Sequence, residues 1–214
     1  MLNISSTNWG PYLFKSEAPQ YIIDRLLIDG KKLIGQKQMH QYCSRPLSFL
    51  YNDDTKSWFI NEIDIALESY RQGHIEYHGE NYHGKIQEDK YMNFQLDELW
   101  VNYMKPGDFN PRHFHDSDLS FILFLDVPKE LDEEIFSFEG TSSEPGCLTF
   151  QFANQARPQW ATTKIHVVPK TGDLYIFPAL LEHTVAPFKS DVTRISVSGN
   201  FQIKNRHTFP ELYF

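Results

Sequence analysis

A chain of 214 residues, 41% hydrophobic and 15% aromatic, is long enough to bury one sizeable core. Its formal net charge of -8 at pH 7 argues against a general nucleic-acid binder, which needs a basic face. Cys43 and Cys147 are too few for a disulfide framework, no apolar run has the length of a membrane span, and the start MLNISSTNWG has no basic-then-apolar leader, so a soluble, cytoplasmic protein is expected.

Residues 1 to 17 hold turn formers and scattered aromatics, with a short edge strand expected around Pro11 to Phe14. From Pro19 the spacing turns helical, through Ile22, Ile23, Leu26, Leu27, Leu33 and Ile34. Cys43 to Tyr51, broken by Pro46, reads as a loop. Asp53, Asp54 and Thr55 are N-cap candidates for a second helix running to about Arg71, with Gly73 placed to end it. His74 to Lys90 is polar and reads as a loop.

From Tyr91 the apolar pattern shortens into strands: Leu96 to Lys105, Leu119 to Asp126, Cys147 to Phe152, Lys164 to Val168, Asp173 to Phe177, His183 to Ala186 and Arg194 to Gln202. Pro106-Gly107, Pro145-Gly146 and Pro169 to Gly172 punctuate them. Short strands without intervening helices indicate a sandwich or barrel. The expected organisation is a helical support region over residues 1–90, an antiparallel β core over 91–205 and a tail over 206–214, within one domain overall. Lys129 to Gly146, rich in acidic residues, reads either as a lid or as a surface loop with a short strand at Ile135 to Phe138.

The chemistry gathers in the loop after Pro106. On an extended backbone His113 and His115 project to one face, while Phe114 points the other way, into packing. If the strands wind as a double-stranded β-helix, His183 lies across the barrel mouth from them. Three protein ligands on one face leave the opposite face open, as in non-haem iron sites. Arg194, beyond a turn expected from Pro187 to Asp191, falls on the strand beside His183. A buried guanidinium needs an anion, and a bidentate carboxylate is the natural match, unless Asp173 or Asp191 pairs with it. Ser196 faces the same side as Arg194 and can donate a further hydrogen bond.

These residues resemble the Fe(II)/2-oxoglutarate-dependent dioxygenases, and most of all a group of bacterial and phage oxygenases. The likeness runs through Trp100-Val101-Asn102, Gly107, His113, His115 and Ser120. It continues through Gly146, Leu148, Phe150, Gly172-Asp173-Leu174, Phe177-Pro178, His183, Arg194-Ile195-Ser196 and Asn200-Phe201. It implies a mainly β fold, the double-stranded β-helix or cupin-like jelly roll, with N-terminal helices. It implies Fe(II) as the metal and 2-oxoglutarate as co-substrate, held by Arg194, Ser196 and Tyr103. Succinate and CO2 are then formed, together with an oxidant that hydroxylates a C–H bond. The expected partners are O2 and a small-molecule or peptide substrate, with a homodimer admitted and no membrane.

The wider superfamily has Asp or Glu where this chain has His115, so Asp116 or Asp118 stands as the alternative second ligand to His115. A cupin-type dioxygenase or isomerase shares the glycine and histidine spacing. However, it expects a Glu shortly after His115 and gives Arg194 no task. A non-catalytic jelly roll would leave the histidines incidental. His74-Ile75-Glu76 and His78-Gly79-Glu80 also spell HxE, but in a polar segment without barrel context. Trp100, Phe121, Phe124 and Phe177 read as core rather than as cofactor contacts.

Overall fold

Leu119–Asp126, reading LSFILFLD, is buried on both faces and explains the architecture around it. Its odd positions, Leu119, Phe121, Leu123 and Leu125, join one apolar cluster, and Ile122 and Phe124 join another. Such a strand has to lie inside a sheet with a layer on each side. The structure, a computed structural model, describes residues 10–36, 47–78, 93–140, 144–153 and 163–204.

Ten strands and four helices are found among the described residues. In chain order they are β1 (Phe14–Glu17), α1 (Gln20–Lys31), β2 (Leu47–Leu50), α2 (Asp53–Glu62), α3 (Asp64–His78), β3 (Asn93–Met104), β4 (Asn110–His113), β5 (Leu119–Asp126), α4 (Glu130–Phe136), β6 (Leu148–Gln151), β7 (Lys164–Val167), β8 (Asp173–Pro178), β9 (Glu182–Val185) and β10 (Arg194–Lys204). A major sheet has the order β1-β8-β5-β10-β3-β2, and a minor sheet has the order β4-β9-β6-β7. All pairings are antiparallel. Met104, Ile122, Phe124 and Phe177 of the major sheet meet Leu148, Phe150, Val167 and Val185 of the minor one in the inner core. The helices cover the other face of the major sheet, where Phe59 of α2 stacks on Phe121 with ring centroids 5.3 Å apart. Close packing there requires glycine in β10, because a Cβ on Gly199 would lie 2.5 Å from Phe121 and 2.6 Å from the Glu98 carbonyl.

The strand expectations in the β core hold to within a few residues, and the N-terminal half needs correction. The edge strand falls at Phe14–Glu17 rather than Pro11 to Phe14. Leu47–Leu50, expected as loop, pairs with β3. Residues before Tyr91 therefore supply both edges of the major sheet as well as helices. The expected second helix is two helices, and its N-cap is Asn52, whose side chain accepts from the Thr55 N–H at 2.8 Å. Gly73 does not end α3, which runs on to His78. The acidic stretch after Lys129 forms α4, not a strand. Leu131 anchors α4 in the inner core, and Glu134 accepts bonds from the Ser190 hydroxyl and the Lys189 and Ser190 N–H groups. The tail over 206–214 lies outside the described residues, as do Cys43, Pro46 and most of His74 to Lys90.

His74 and His78 are thus one turn apart on a helix, with rings 4.5 Å apart, and His74 also packs against Tyr12 and Tyr70. Burial, and then the neighbouring His78 imidazole, push His74 down to about 4. The folded value lies below the ordinary value of about 6.5, so the unfolded chain takes up the proton first. The contribution of His74 to stability is complete above that ordinary value and is lost as pH falls toward 4. Thermal melts across this window should show His74→Phe losing less stability than the native chain, by less than one proton's worth of slope.

Candidate metal centre

β4 and β9 are neighbours in the minor sheet, and their register pairs His113 with His183. β9 also pairs with β6, setting Phe150 beside His183. His115 follows two residues after the end of β4, and its N–H donates to the Ala179 carbonyl at 2.9 Å, which ties the loop to the segment leading into β9. The three imidazoles converge. One ring nitrogen from each lies within 4.8 Å of the others, and no other such grouping of histidine, cysteine or carboxylate ligands occurs among the described residues. Ring centroids are 4.2 Å apart for His113 and His183, 5.1 Å for His113 and His115, and 5.2 Å for His115 and His183.

The tautomers suit a metal. Nδ1 of His113 faces the Pro111 carbonyl at 2.7 Å, and Nδ1 of His183 faces the Leu181 carbonyl at 2.8 Å. A carbonyl only accepts, so each Nδ1 carries the proton and each Nε2 keeps a free lone pair. Burial, and then the His113 charge, push His183 down to about 3, and the same two causes push His115 down to about 4. Neither holds a proton against a metal near neutrality. Metal–nitrogen bonds of about 2.1 Å put ligand nitrogens roughly 3 to 4 Å apart, so a small contraction closes the set.

Neither Asp116 nor Asp118 belongs to the three-imidazole grouping. Asp118 accepts from the Ile203 N–H at 2.8 Å, which commits it to tying the loop to β10. Asp116 is exposed. Phe114 is 57% exposed, which corrects the expectation that it packs inward. His166 meets Thr149 at 3.0 Å, away from the imidazole cluster.

Arg194 opens β10 in the major sheet and is 3% exposed. Its guanidinium lies 5.4 Å from the Phe124 ring centroid, and Nη1 donates to the Gly146 carbonyl. Nε is buried with no partner. No described carboxylate forms an ion pair with it: Asp173 is bound instead by Lys15 at 2.8 Å, and Asp191 makes no such contact. Burial lowers the Arg194 pKa to about 10, partly offset by the Cys147 thiol, so it remains charged at neutral pH. An unpaired buried cation on the sheet face that also carries Trp100, which meets the His115 ring, has the chemistry of an anion seat.

Register orders the inner face of the major sheet. Arg194 pairs with Met104, Ser196 with Asn102, and Ser198 with Trp100, so these side chains share a face. Trp100 lies 6.0 Å from the His115 ring, and Phe177 lies 5.1 Å from His183. Trp100, Phe124 and Phe177 are buried core residues, as expected, and Trp100 and Phe177 also sit against the histidine rings, whereas Phe121 faces the helices. Tyr103 is misplaced by the sequence reading. One residue out of step with Asn102 and Met104, it packs with Phe49 in the helix-side core, with ring centroids 6.2 Å apart. It cannot share a ligand with Arg194. Asn102, which the sequence shows only as part of the Trp100-Val101-Asn102 motif and with no task of its own, lies on the inner face beside Ser196. Its signal was the alternation of β3, which puts it on the face of Trp100.

Residues 98–200 match the family model described as "Putative 2OG-Fe(II) oxygenase". No curated protein matches the sequence. Among solved structures, a prolyl-4-hydroxylase of Pseudomonas putida is similar at TM-score 0.55 and 16% identity, over 89% of this chain and 91% of that one. A viral collagen prolyl hydroxylase from Paramecium bursaria Chlorella virus-1, in complex with 2-oxoglutarate, gives 0.52 and 14%, over 90% and 96%. HygX from Streptomyces hygroscopicus, with nickel and 2-oxoglutarate bound, gives 0.53 and 9%, over 93% and 84%. At these identities the likeness speaks for the fold, the jelly roll or double-stranded β-helix expected from the sequence. The family match and the triad together define an oxidoreductase of the 2-oxoglutarate/Fe(II) class. No described helix is long and apolar enough to cross a membrane.

Proposed function

We propose that His113, His115 and His183 hold Fe(II), and that Arg194, with Ser196, holds the distal carboxylate of 2-oxoglutarate. The convergence of three ring nitrogens within 4.8 Å of one another carries the metal assignment. The orphaned Nε of Arg194 carries the second. When bound, Fe(II) with 2-oxoglutarate and O2 supplies a two-electron oxidation: the keto acid loses CO2, succinate keeps one oxygen atom, and the other is available to the substrate. This chain's own residues do the positioning. The Pro111 and Leu181 carbonyls fix two imidazoles in the ligating tautomer. Arg194 pulls one end of the co-substrate into the inner core, where Phe124 and Met104 exclude water from the ion pair. Three neutral imidazoles leave the centre at the metal's own +2, which a dianionic co-substrate balances.

The substrate is a small molecule or a peptide reached through the mouth beside Trp100 and the exposed Phe114. The cytoplasm supplies the reducing setting that Fe(II) needs, with residues 1–90 supporting a catalytic core over 91–205 and a homodimer as a working state. The test is succinate release from 2-oxoglutarate by purified protein under air, with and without Fe(II). Iron-dependent succinate in excess of a metal-free control is expected, and its absence over a range of iron and 2-oxoglutarate concentrations would sink the reading.

A further inference from the structure

A dicarboxylate anchored on Arg194 and reaching the imidazoles has to cross the next two rows of the major sheet. The first row is Ser196 and Asn102, and the second is Ser198 and Trp100, which meets His115. Asn102 is 9% exposed, and its side chain is not idle there. The Ser48 hydroxyl donates to its Oδ1 at 2.7 Å. That bond occupies the amide oxygen and turns the NH2 group toward Ser198. The Nδ2 to Ser198 Oγ distance is 3.5 Å, at the outer limit of a hydrogen bond. An acceptor oxygen seated between the two would take a better bond from each. The cross-strand neighbours of Asn102 are Ser48 and Ser196, so a short polar row interrupts a face that carries Met104, Phe124 and Trp100 on either side, and a buried polar row costs free energy unless it is hydrogen-bonded.

We propose that the Asn102 carboxamide, aimed by Ser48 and joined by the Ser198 hydroxyl, binds the metal-end carboxylate of 2-oxoglutarate. This rests on the metal and Arg194 assignments above. The arrangement clamps the co-substrate at both ends, by a cation at one and by neutral donors at the other. A neutral donor suits the metal end, because the metal already supplies positive charge there. The sheet contains a second serine-capped asparagine, Ser120 Oγ to Asn200 Oδ1 at 2.7 Å, on the far side of Ser198 from Arg194. It lies one row beyond Ser198 along β10, farther from Arg194, and serves as an internal control.

The experiment is anaerobic titration of the Fe(II)-loaded protein with 2-oxoglutarate, read by the visible metal-to-ligand charge-transfer band of the keto acid chelate. Loss of a hydrogen bond to a charged group predicts a dissociation constant raised about tenfold to a hundredfold in Asn102→Ala. Asn102→Asp should bind more weakly still, because a like charge then faces the carboxylate. Ser198→Ala and Ser48→Ala, each losing one hydroxyl, should show smaller increases and keep the role testable if Asn102 variants fold poorly. Ni(II) affinity without 2-oxoglutarate should be unchanged in all of them. Native affinity for 2-oxoglutarate in Asn102→Ala and Asn102→Asp would overturn the inference, as would an equal loss in Asn200→Ala. If the native protein itself develops no band, it is the metal and co-substrate assignment that fails.

Discussion

His183→Ala should lower divalent-metal affinity by at least about a hundredfold and bring iron-dependent succinate formation to background. Loss of groups that merely orient a metal ligand costs roughly 10-fold to 100-fold, and loss of a ligand costs more. Among the three histidines, His183 is the most deeply placed, at 6% exposure, on a strand flanked by β4 on one side and β6 on the other. Its ring contacts both partners, and the Leu181 carbonyl fixes its tautomer. His113 and His115 remain in the variant, but two imidazoles without the third cannot enclose one face of the ion. Isothermal titration with Ni(II) reads the affinity, and far-ultraviolet circular dichroism checks that the sheet persists. A well-folded His183→Ala protein that binds Ni(II) like the native chain would remove His183 from the centre.

Much of this was legible because strand alternation and the HxH spacing are local. β5 could be read to the residue, since an apolar run of that length between turns has few other homes. His113, His115 and His183 come together as the strand pattern required, and Arg194 is buried as expected. The readings that failed depended on tertiary partners. β1 and β2 are short polar-flanked segments whose only reason to extend is an open sheet edge offered by β8 and β3. Gly73 reads as a stop, yet α3 continues because Tyr70, His74 and Tyr77 pack around Tyr12. Tyr103 is named as a co-substrate contact only through the family resemblance. Counting from Asn102 by one residue shows that it must face the helices. Phe114 fails for the opposite reason: the chain leaves β4 at His113, and alternation no longer governs its direction.

Arg194→Met should separate stability from binding, with opposite signs. Without co-substrate the native chain holds a guanidinium with a buried, partnerless Nε and no described carboxylate within ion-pair distance. An uncompensated buried charge is destabilising, and a hydrophobic residue of similar length in its place is often neutral or stabilising by about 1–4 kcal/mol. The variant gives up the bond to the Gly146 carbonyl, which sets about 1–3 kcal/mol against that gain. The melting temperature of the co-substrate-free variant is therefore expected to match or exceed the native value. With 2-oxoglutarate the order reverses. A ligand present at about a hundred times its dissociation constant stabilises the native state by about 2.7 kcal/mol, and the variant should gain almost none of it. Its affinity should fall at least about thirtyfold, since removing one partner of a buried charge pair costs about 2–5 kcal/mol. Arg194→Lys should keep part of the binding, because a point charge replaces the planar fork. Thermal shift with and without saturating 2-oxoglutarate reads both effects at once. An equal rise in Arg194→Met and the native protein would mean that the dicarboxylate is held elsewhere, and the inner-face path from Arg194 to the imidazoles would lose its anchor.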